Sequence, residues 1–417
     1  MQMSNITEQF VEYLIDKHKG INESIRKLAY NCKLDYEANV YAGAKKNKNN
    51  WGRILSRLPR GKAQIYGYDL YTDGKTAAMI NGFNAHSLEM DDGHRYGMIH
   101  LGASIISAID AAKEDTDIDD RSFYDAIVIG YEAACRLAMS IQPGHKEKGY
   151  HASGTCGTIG SAAGVAFALG MDQEQIKRAI TLAATSAAGL IAIQEQNSEL
   201  KPYNIGRAAM DGLTCALVGG TGFQMPDDIL GDARGLGNVL SGGLNADVLM
   251  KKEEYYEIER IYIKPYASCR HTHSAVDAAL QLRGKVHTDE ISKITVEIYK
   301  NGIRGHDHTV ITGEAAAKLS IPYAVSVALI YGDAGICRFE PLDQRAVELS
   351  EKVCVRENPE LTKMFPARRA SIVLIELRDG STFSCEIDYA KGEPENPMCE
   401  SEIRDKKNSL KLYEAKK

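Results

Sequence analysis

Lys264-Pro265-Tyr266-Ala267-Ser268-Cys269-Arg270-His271-Thr272-His273 separates two kinds of pattern in this chain. Before this run the sequence is almost wholly helical in period and rich in alanine. After it, alternating strand patterns enter. A change of period at one proline-bearing turn predicts two domains, 1–263 and 264–394. The length of 417 residues agrees, because single hydrophobic cores stop growing at roughly 250–300 residues. The run itself gathers Lys264, Arg270, His271 and His273 around one turn. Clefts form at domain seams, so the sequence predicts a place here for a small acidic ligand.

On the carboxyl-terminal side, residues 291–299 alternate and are β-branched, and strands at 371–377 and 383–387 flank the turn pair Asp379-Gly380. Helices are expected at about 275–282, 323–331 and 344–353. Residues 395–417 are polar, with helical potential, and are expected to return to the first domain.

On the amino-terminal side, Phe10, Leu14, Ile21, Ile25 and Leu28 recur at helical spacing and mark an opening helix or helix pair. The basic stretch 45–62, broken by Pro59 and Gly61, reads as an exposed loop. Helices follow at 76–88, 105–112 and 124–140. Residues 152–171 carry no formal charge but are mostly Ala, Gly, Ser and Thr, which predicts a buried helix with close neighbours rather than a membrane span. Asp172 with Gln175 forms a capping-box signature for a helix reaching about residue 190. Pro202 suits the first turn of the next one.

Bulk charge narrows the partners. A net charge of −6 argues against a nucleic-acid or anionic-membrane partner, since both need concentrated positive surface. Nine scattered cysteines without a C-x-x-C pair suggest neither a disulfide framework nor a zinc ribbon, and fit a reducing cytoplasm. The first ten residues lack a secretory-signal pattern.

Four clusters carry the candidate chemistry, in residues 91–100, 151–161, 201–207 and 264–273. Each lies at the edge of a predicted helix, where backbone N–H groups join side chains in holding an anion.

One ordered set of motifs runs through these clusters: Asn81-Gly82, Glu89-x-Asp91-Asp92, His100, His151 with Gly157-Thr158-x-Gly160-Ser161, Lys201-Pro202-x-x-Ile205-Gly206, Lys264-Pro265-Tyr266 with Cys269-Arg270-His271-x-His273, and Tyr323. The set resembles the MmgE/PrpD family, whose members include 2-methylcitrate dehydratase, cis-aconitate decarboxylase and iminodisuccinate epimerase. The resemblance implies a mainly α fold, with a large all-helical domain and a smaller α+β lid domain. It also implies a homodimer that uses neither metal nor cofactor. It places His151, Lys201, Lys264, His100 and Tyr323 on catalytic positions and Glu89 on an acidic position of the first motif. Gly93, Leu101 and Ala267 depart from the family pattern, which touches the identity of the substrate more than the class of reaction.

The residues support that class on physical grounds. Proton removal next to a carboxylate builds an enediolate, and each donor aimed at such a charge is worth about 2.7–4 kcal/mol. Lys201 and Lys264 are expected on the substrate carboxylates, and Arg270 in binding or dimer support. His151 is the candidate general acid or base, with His100 or Tyr323 on the opposite face. Glu89, Asp91, Asp92, His94, Arg270 and His271 complete the expected substrate-binding set, Asp91 and Asp92 serving alternatively as helix caps.

The expected function is that of a lyase on a small di- or tricarboxylate, a 2-methylcitrate dehydratase-like enzyme first, with epimerisation and decarboxylation as alternatives. Two rivals remain open: a metal-dependent hydrolase using His271, His273, His94 and Asp92, and a non-catalytic carboxylate binder. His306 and His308 read as solvent-facing, and Cys269 as a small buried residue.

Overall fold

A computed structural model describes residues 5–114, 116–195 and 198–413. The chain is mainly α and divides into two compact units. The first gathers the described residues of Met1–Ser87, Asp91–Ile261 and Glu400–Glu414; the second gathers Leu88–Met90 and Tyr262–Cys399. Residues 1–4 of the expected first domain and 414–417 of the returning segment lie outside the described residues.

The principal helices of the first unit are α1 (Ile6–Lys19), α2 (Glu23–Leu55), α3 (Gly74–His86), α4 (Gly102–Ala111), α5 (Asp120–Ile141), α6 (Ala152–Ala168), α7 (Gln173–Ser186) and α8 (Lys201–Gly219). Local chemistry sets many of their starts. Asn5, Asn22, Asp73 and Asp119 each accept from first-turn N–H groups, which satisfies donors that a helix leaves orphaned. Asp172 and Gln175 form the expected capping box of α7, although the helix ends at Ser186 rather than near residue 190.

The small residues of α6 explain the packing at the centre of this unit, where α6 lies against both α5 and α8. A Cβ on Gly160 would stand 2.7 Å from the Gly130 carbonyl oxygen and 2.7 Å from Ala134 Cβ; one on Gly212 would stand 2.4 Å from Ser161 Cβ. Those approaches exist only because the side chains are absent. Among the described residues no helix is long and apolar enough to cross a membrane.

Two expectations for this unit are corrected. Residues 45–55 are not loop but the last turns of α2. Tertiary bonds override the polar composition there: the Asn47 amide donates to Asn84 Oδ1 at 2.9 Å and to Ser87 Oγ at 2.7 Å, and Trp51 Nε1 donates to Asn84 Oδ1 at 3.0 Å. The unit is also not wholly helical, since β1 (Ala63–Ile65) and β2 (Leu70–Thr72) pair as an antiparallel ribbon.

The second unit holds a four-stranded mixed sheet. Its strands are β3 (Ile291–Ile298), β4 (Val353–Glu357), β5 (Ser371–Leu377) and β6 (Thr382–Ile387), in the order β4-β3-β5-β6. Only the β3–β4 pair is parallel. Burial alternates along β5, the period-2 pattern of a strand with one face covered. The Asp379-Gly380 turn joins β5 to β6, and Gly380 takes φ 87° there, in the left-handed region that such turns require. Helix α9 (His273–Leu282) lies against β5, β6 and α10 (Ile321–Tyr331), which in turn packs on α11 (Gln344–Ser350). The helix expected over 344–353 ends at Ser350, and Val353 instead opens strand β4. The segment α12 (Glu400–Lys411) returns to the first unit, where Lys406 Nζ reaches Asp35 Oδ1 at 2.5 Å on α2.

Candidate active site

In the first unit, three elements bring candidate residues into one neighbourhood. His151 is the residue before α6 and is 8% exposed. Its Nδ1 lies 3.2 Å from Asn204 Nδ2, one turn into α8 from Lys201. That amide nitrogen also lies 3.2 Å from the Leu190 carbonyl oxygen. A carbonyl oxygen only accepts, so the amide must present its NH2 end there. Nδ1 of His151 therefore accepts, and the neutral ring carries its proton on Nε2.

His100 has the opposite arrangement. Its Nδ1 is 2.8 Å from the Asp92 carbonyl oxygen and 3.4 Å from Asp91 Oδ2. With two acceptors facing Nδ1, that nitrogen carries the proton of the neutral ring and Nε2 is the basic nitrogen. The backbone N–H of His100 donates to Ser153 Oγ at 3.0 Å, tying it to the first turn of the helix that His151 precedes. Asp91 Oδ2 also lies 2.8 Å from His86 Nδ1, and the His86 and His100 rings pack edge to face with centroids 4.7 Å apart. Burial pushes the Asp91 carboxyl up, but the two imidazoles outweigh it and keep it well below the usual carboxylate range.

Asp92 faces elsewhere. It accepts from Gly102 N at 2.9 Å and takes the Tyr131 hydroxyl, so it satisfies the amino-terminal end of α4. Burial lifts its carboxyl to about 6 against those hydrogen bonds. His94 is fully buried; its Nδ1 accepts from Gly97 N at 3.1 Å and its Nε2 lies 3.1 Å from Glu257 Oε2. Burial pulls the His94 imidazolium down despite Glu257. Glu257 also meets Arg136 at 3.0 Å, so His94 belongs to an interior polar network.

In the second unit, Lys264 is 1% exposed on its side chain, with Nζ 2.9 Å from the Glu89 carbonyl oxygen and 3.4 Å from Glu89 Oε2. Glu89 adopts φ 58°, a left-handed conformation that costs a non-glycine residue free energy and concentrates at functional sites. Arg270 is given to the interior: it meets Glu393 at 2.8 Å and His273 Nδ1 at 2.7 Å. His271 Nδ1 lies 2.5 Å from the Tyr299 hydroxyl. The Tyr323 hydroxyl donates to the Arg338 carbonyl at 2.9 Å and accepts from Asp343 N at 2.9 Å, so it pins one backbone segment to another.

His306 and Cys269 depart from expectation. His306 is half-buried, not solvent-facing, and its Nε2 is 3.2 Å from Cys269 Sγ, a thiol that keeps partial exposure. His86 and Asn204 were not among the expected site residues. His86 sits five residues before Asp91 on the last turn of α3, and Asn204 three after Lys201 on α8, spacings that become informative only once the partner element is known.

The MmgE/PrpD N-terminal domain model matches residues 8–249 of the chain, and the MmgE/PrpD C-terminal domain model matches residues 266–412. The chain is 25% identical over 384 residues to the cis-aconitate decarboxylase-like protein oryM of Aspergillus oryzae, covering 84% of this chain and 78% of that protein. It is 24% identical over 387 residues to the cis-aconitate decarboxylase of Aspergillus terreus, covering 85% and 78%. It is 25% identical over 374 residues to the cis-aconitate decarboxylase of Mus musculus, covering 85% and 72%.

Proposed function

Because the chain belongs to the MmgE/PrpD family, we propose that it is a lyase acting on a small di- or tricarboxylate, with proton transfer at a carbon next to a carboxylate. The observation that carries this reading is the pair of opposed tautomers. His151 presents a protonated Nε2 and His100 a basic Nε2, in a neighbourhood tied together by Ser153 and Asn204. A dehydration needs both roles: a base for the carbon-bound proton and an acid for the departing hydroxyl.

In this reading His100 removes the proton, with Asp91 orienting its ring and stabilising the imidazolium that forms, as a carboxylate does for a general-base histidine. His86 shares that carboxylate. His151 protonates the leaving hydroxyl as the carbon–oxygen bond breaks. Lys201 takes a substrate carboxylate, and in the second unit Glu89 holds the Lys264 ammonium ready for an anionic group. Asp92, His94, Arg270, His271 and Tyr323 each hold other protein groups within their own unit and, in this reading, do not touch substrate. The reading assigns no step to a metal or organic cofactor, and it keeps a homodimer and a cytoplasmic setting as proposals.

Decarboxylation is the second reading, favoured by the relatives, three of which bear the name cis-aconitate decarboxylase or its like. It needs only the acid: the carbon–carbon bond releases carbon dioxide, and His151 protonates the carbanion left behind. Incubation of the purified protein with 2-methylcitrate, citrate, cis-aconitate and iminodisuccinate, with products identified by NMR, separates the readings. Loss of water supports the first and loss of carbon dioxide the second. Inversion without loss of mass contradicts both and makes the enzyme an epimerase.

A further inference from the structure

Cys269 and His306 of the second unit have no part in the chemistry above, yet they are arranged as an activated nucleophile. Cys269 Sγ is 3.2 Å from His306 Nε2, and His306 Nδ1 is 3.0 Å from the Arg304 carbonyl oxygen. The carbonyl requires a proton on Nδ1, which turns the basic Nε2 toward the thiol. This is the order of nucleophile, base and orienting acceptor that thiol catalysis uses.

The surroundings favour the thiolate. Cys269 stands just before the 3-10 turn Arg270–Thr272 that leads into α9, and the His271 N–H is directed at its sulfur. Burial opposes ionisation, but His306, that N–H and the Lys264 charge outweigh it and bring the thiol down to about 6. Burial likewise opposes the His306 imidazolium, and the Cys269 sulfur raises it. The other ionisable groups nearby are Asp307, whose charge also raises the His306 imidazolium, the His271 ring, whose centroid is 5.0 Å from that of His306, and the phenols of Tyr299 and Tyr262. Cys32, Cys135, Cys156 and Cys215 are buried, whereas Cys269 is partly exposed.

We propose that Cys269 is a nucleophilic thiolate that adds to α,β-unsaturated carboxylates, with Lys264 attracting the carboxylate and His306 supplying the proton. The sulfur lone pair forms a carbon–sulfur bond at the β-carbon, the alkene π pair moves to the α-carbon, and the His306 Nε2 proton completes the α C–H bond. No oxidant or further reactant enters. The choice of electrophile rests on the proposed lyase reading, since dehydration and decarboxylation both leave an alkene conjugated to a carboxylate.

The test reads the thiol without turnover. The full chain is treated at pH 6.5 with acrylate or with acrylamide, which share an alkene but differ in charge, and adducts are mapped by peptide mass spectrometry with glutathione as the reference thiol. The expected result is an adduct at Cys269 before any of the other eight cysteines. The acrylate-to-acrylamide rate ratio should exceed that of glutathione by at least about tenfold, since an ion pair near a partly buried site is worth a factor of that order. C269S should abolish the adduct and H306Q should slow it, with unchanged circular dichroism. An equal ratio for Cys269 and glutathione, or first reaction at exposed Cys337, Cys354 or Cys399, overturns the proposal. Turnover of a tricarboxylate alongside an unreactive Cys269 sinks this inference alone. A reactive Cys269 in a protein that turns over none of the carboxylates sinks the lyase reading and leaves the nucleophile standing.

Discussion

Asn204 Nδ2 stands 3.2 Å from His151 Nδ1 and 3.2 Å from the Leu190 carbonyl oxygen, so one amide fixes which nitrogen of the histidine carries its proton. Asn204→Asp offers Nδ1 an acceptor in place of a donor and reverses the tautomer. The expected outcome is a fall in kcat of about 10²–10⁴-fold, the usual worth of a positioned proton donor, with KM changed far less. Asn204→Ala, which removes the restraint without reversing it, should lose less. Steady-state kinetics on the substrate identified by the panel measures both.

The carboxylate between His86 and His100 gives a second prediction. Asp91→Asn keeps the shape and removes the charge, so the imidazolium that His100 becomes is no longer stabilised. We expect kcat to fall by about 10²–10⁴-fold and the pH-rate profile to lose the limb due to His100. Asp92→Asn, in a carboxyl that satisfies α4 through Gly102 N and meets Tyr131, should change stability more than the profile.

Packing around α6 gives a third. Gly160→Val places methyl groups where a Cβ alone already stands 2.7 Å from Gly130 O and Ala134 Cβ. Overpacking of this kind typically costs about 1–3 kcal/mol. A lowered midpoint of thermal unfolding followed by circular dichroism checks it, and Gly170→Ala, with nothing within 4 Å but φ +63°, provides a control governed by backbone strain instead.

His145 supplies a pH test. It is fully buried, with Nε2 2.8 Å from Thr155 Oγ1, and burial brings its imidazolium down to about 4 from 6.5. Below pH 6.5 the unfolded chain binds a proton that the folded chain refuses, so the histidine's contribution is complete above pH 6.5 and is lost as pH falls toward 4. At 1.36 kcal/mol per unit the loss is on the order of 3 kcal/mol. His145→Gln should flatten that part of the stability-against-pH curve obtained by urea titration.

Much of the fold was legible because local chemistry and tertiary packing agree. The Asp172 and Gln175 box, the Asp379-Gly380 turn, the alternation of residues 371–377 and the small residues of α6 each name an element without outside help. Residues 45–55 were not legible as helix, since what keeps them helical is Asn84, which accepts from Asn47 and Trp51 across 37 and 33 residues of sequence. Strand β4 is a five-residue run whose pairing with β3 is parallel and distant, and nothing local announces it.

The candidate site divides in the same way. Its residue types stand in the sequence, but their roles depend on which nitrogen of each ring meets which acceptor. His94 and Arg270 read as ligands from their charge, and only Glu257 and Glu393 reveal that both have partners in the interior. Cys269 and His306 are thirty-seven residues apart in sequence, and a thiol and an imidazole at that separation carry no signal until the fold joins them.

The most direct test of the lyase reading is turnover in deuterated water by the wild-type protein and by His151→Gln, followed by proton NMR on 2-methylcitrate, citrate and cis-aconitate. The account predicts cleavage of one of these carboxylates by the wild-type protein. Solvent deuterium should appear at the carbon next to a carboxylate, in the decarboxylated product or in hydroxy acid re-formed by the back reaction, and His151→Gln should lose both cleavage and label. Undiminished cleavage and labelling by His151→Gln, or no cleavage of any of the three by the wild-type protein, would contradict it.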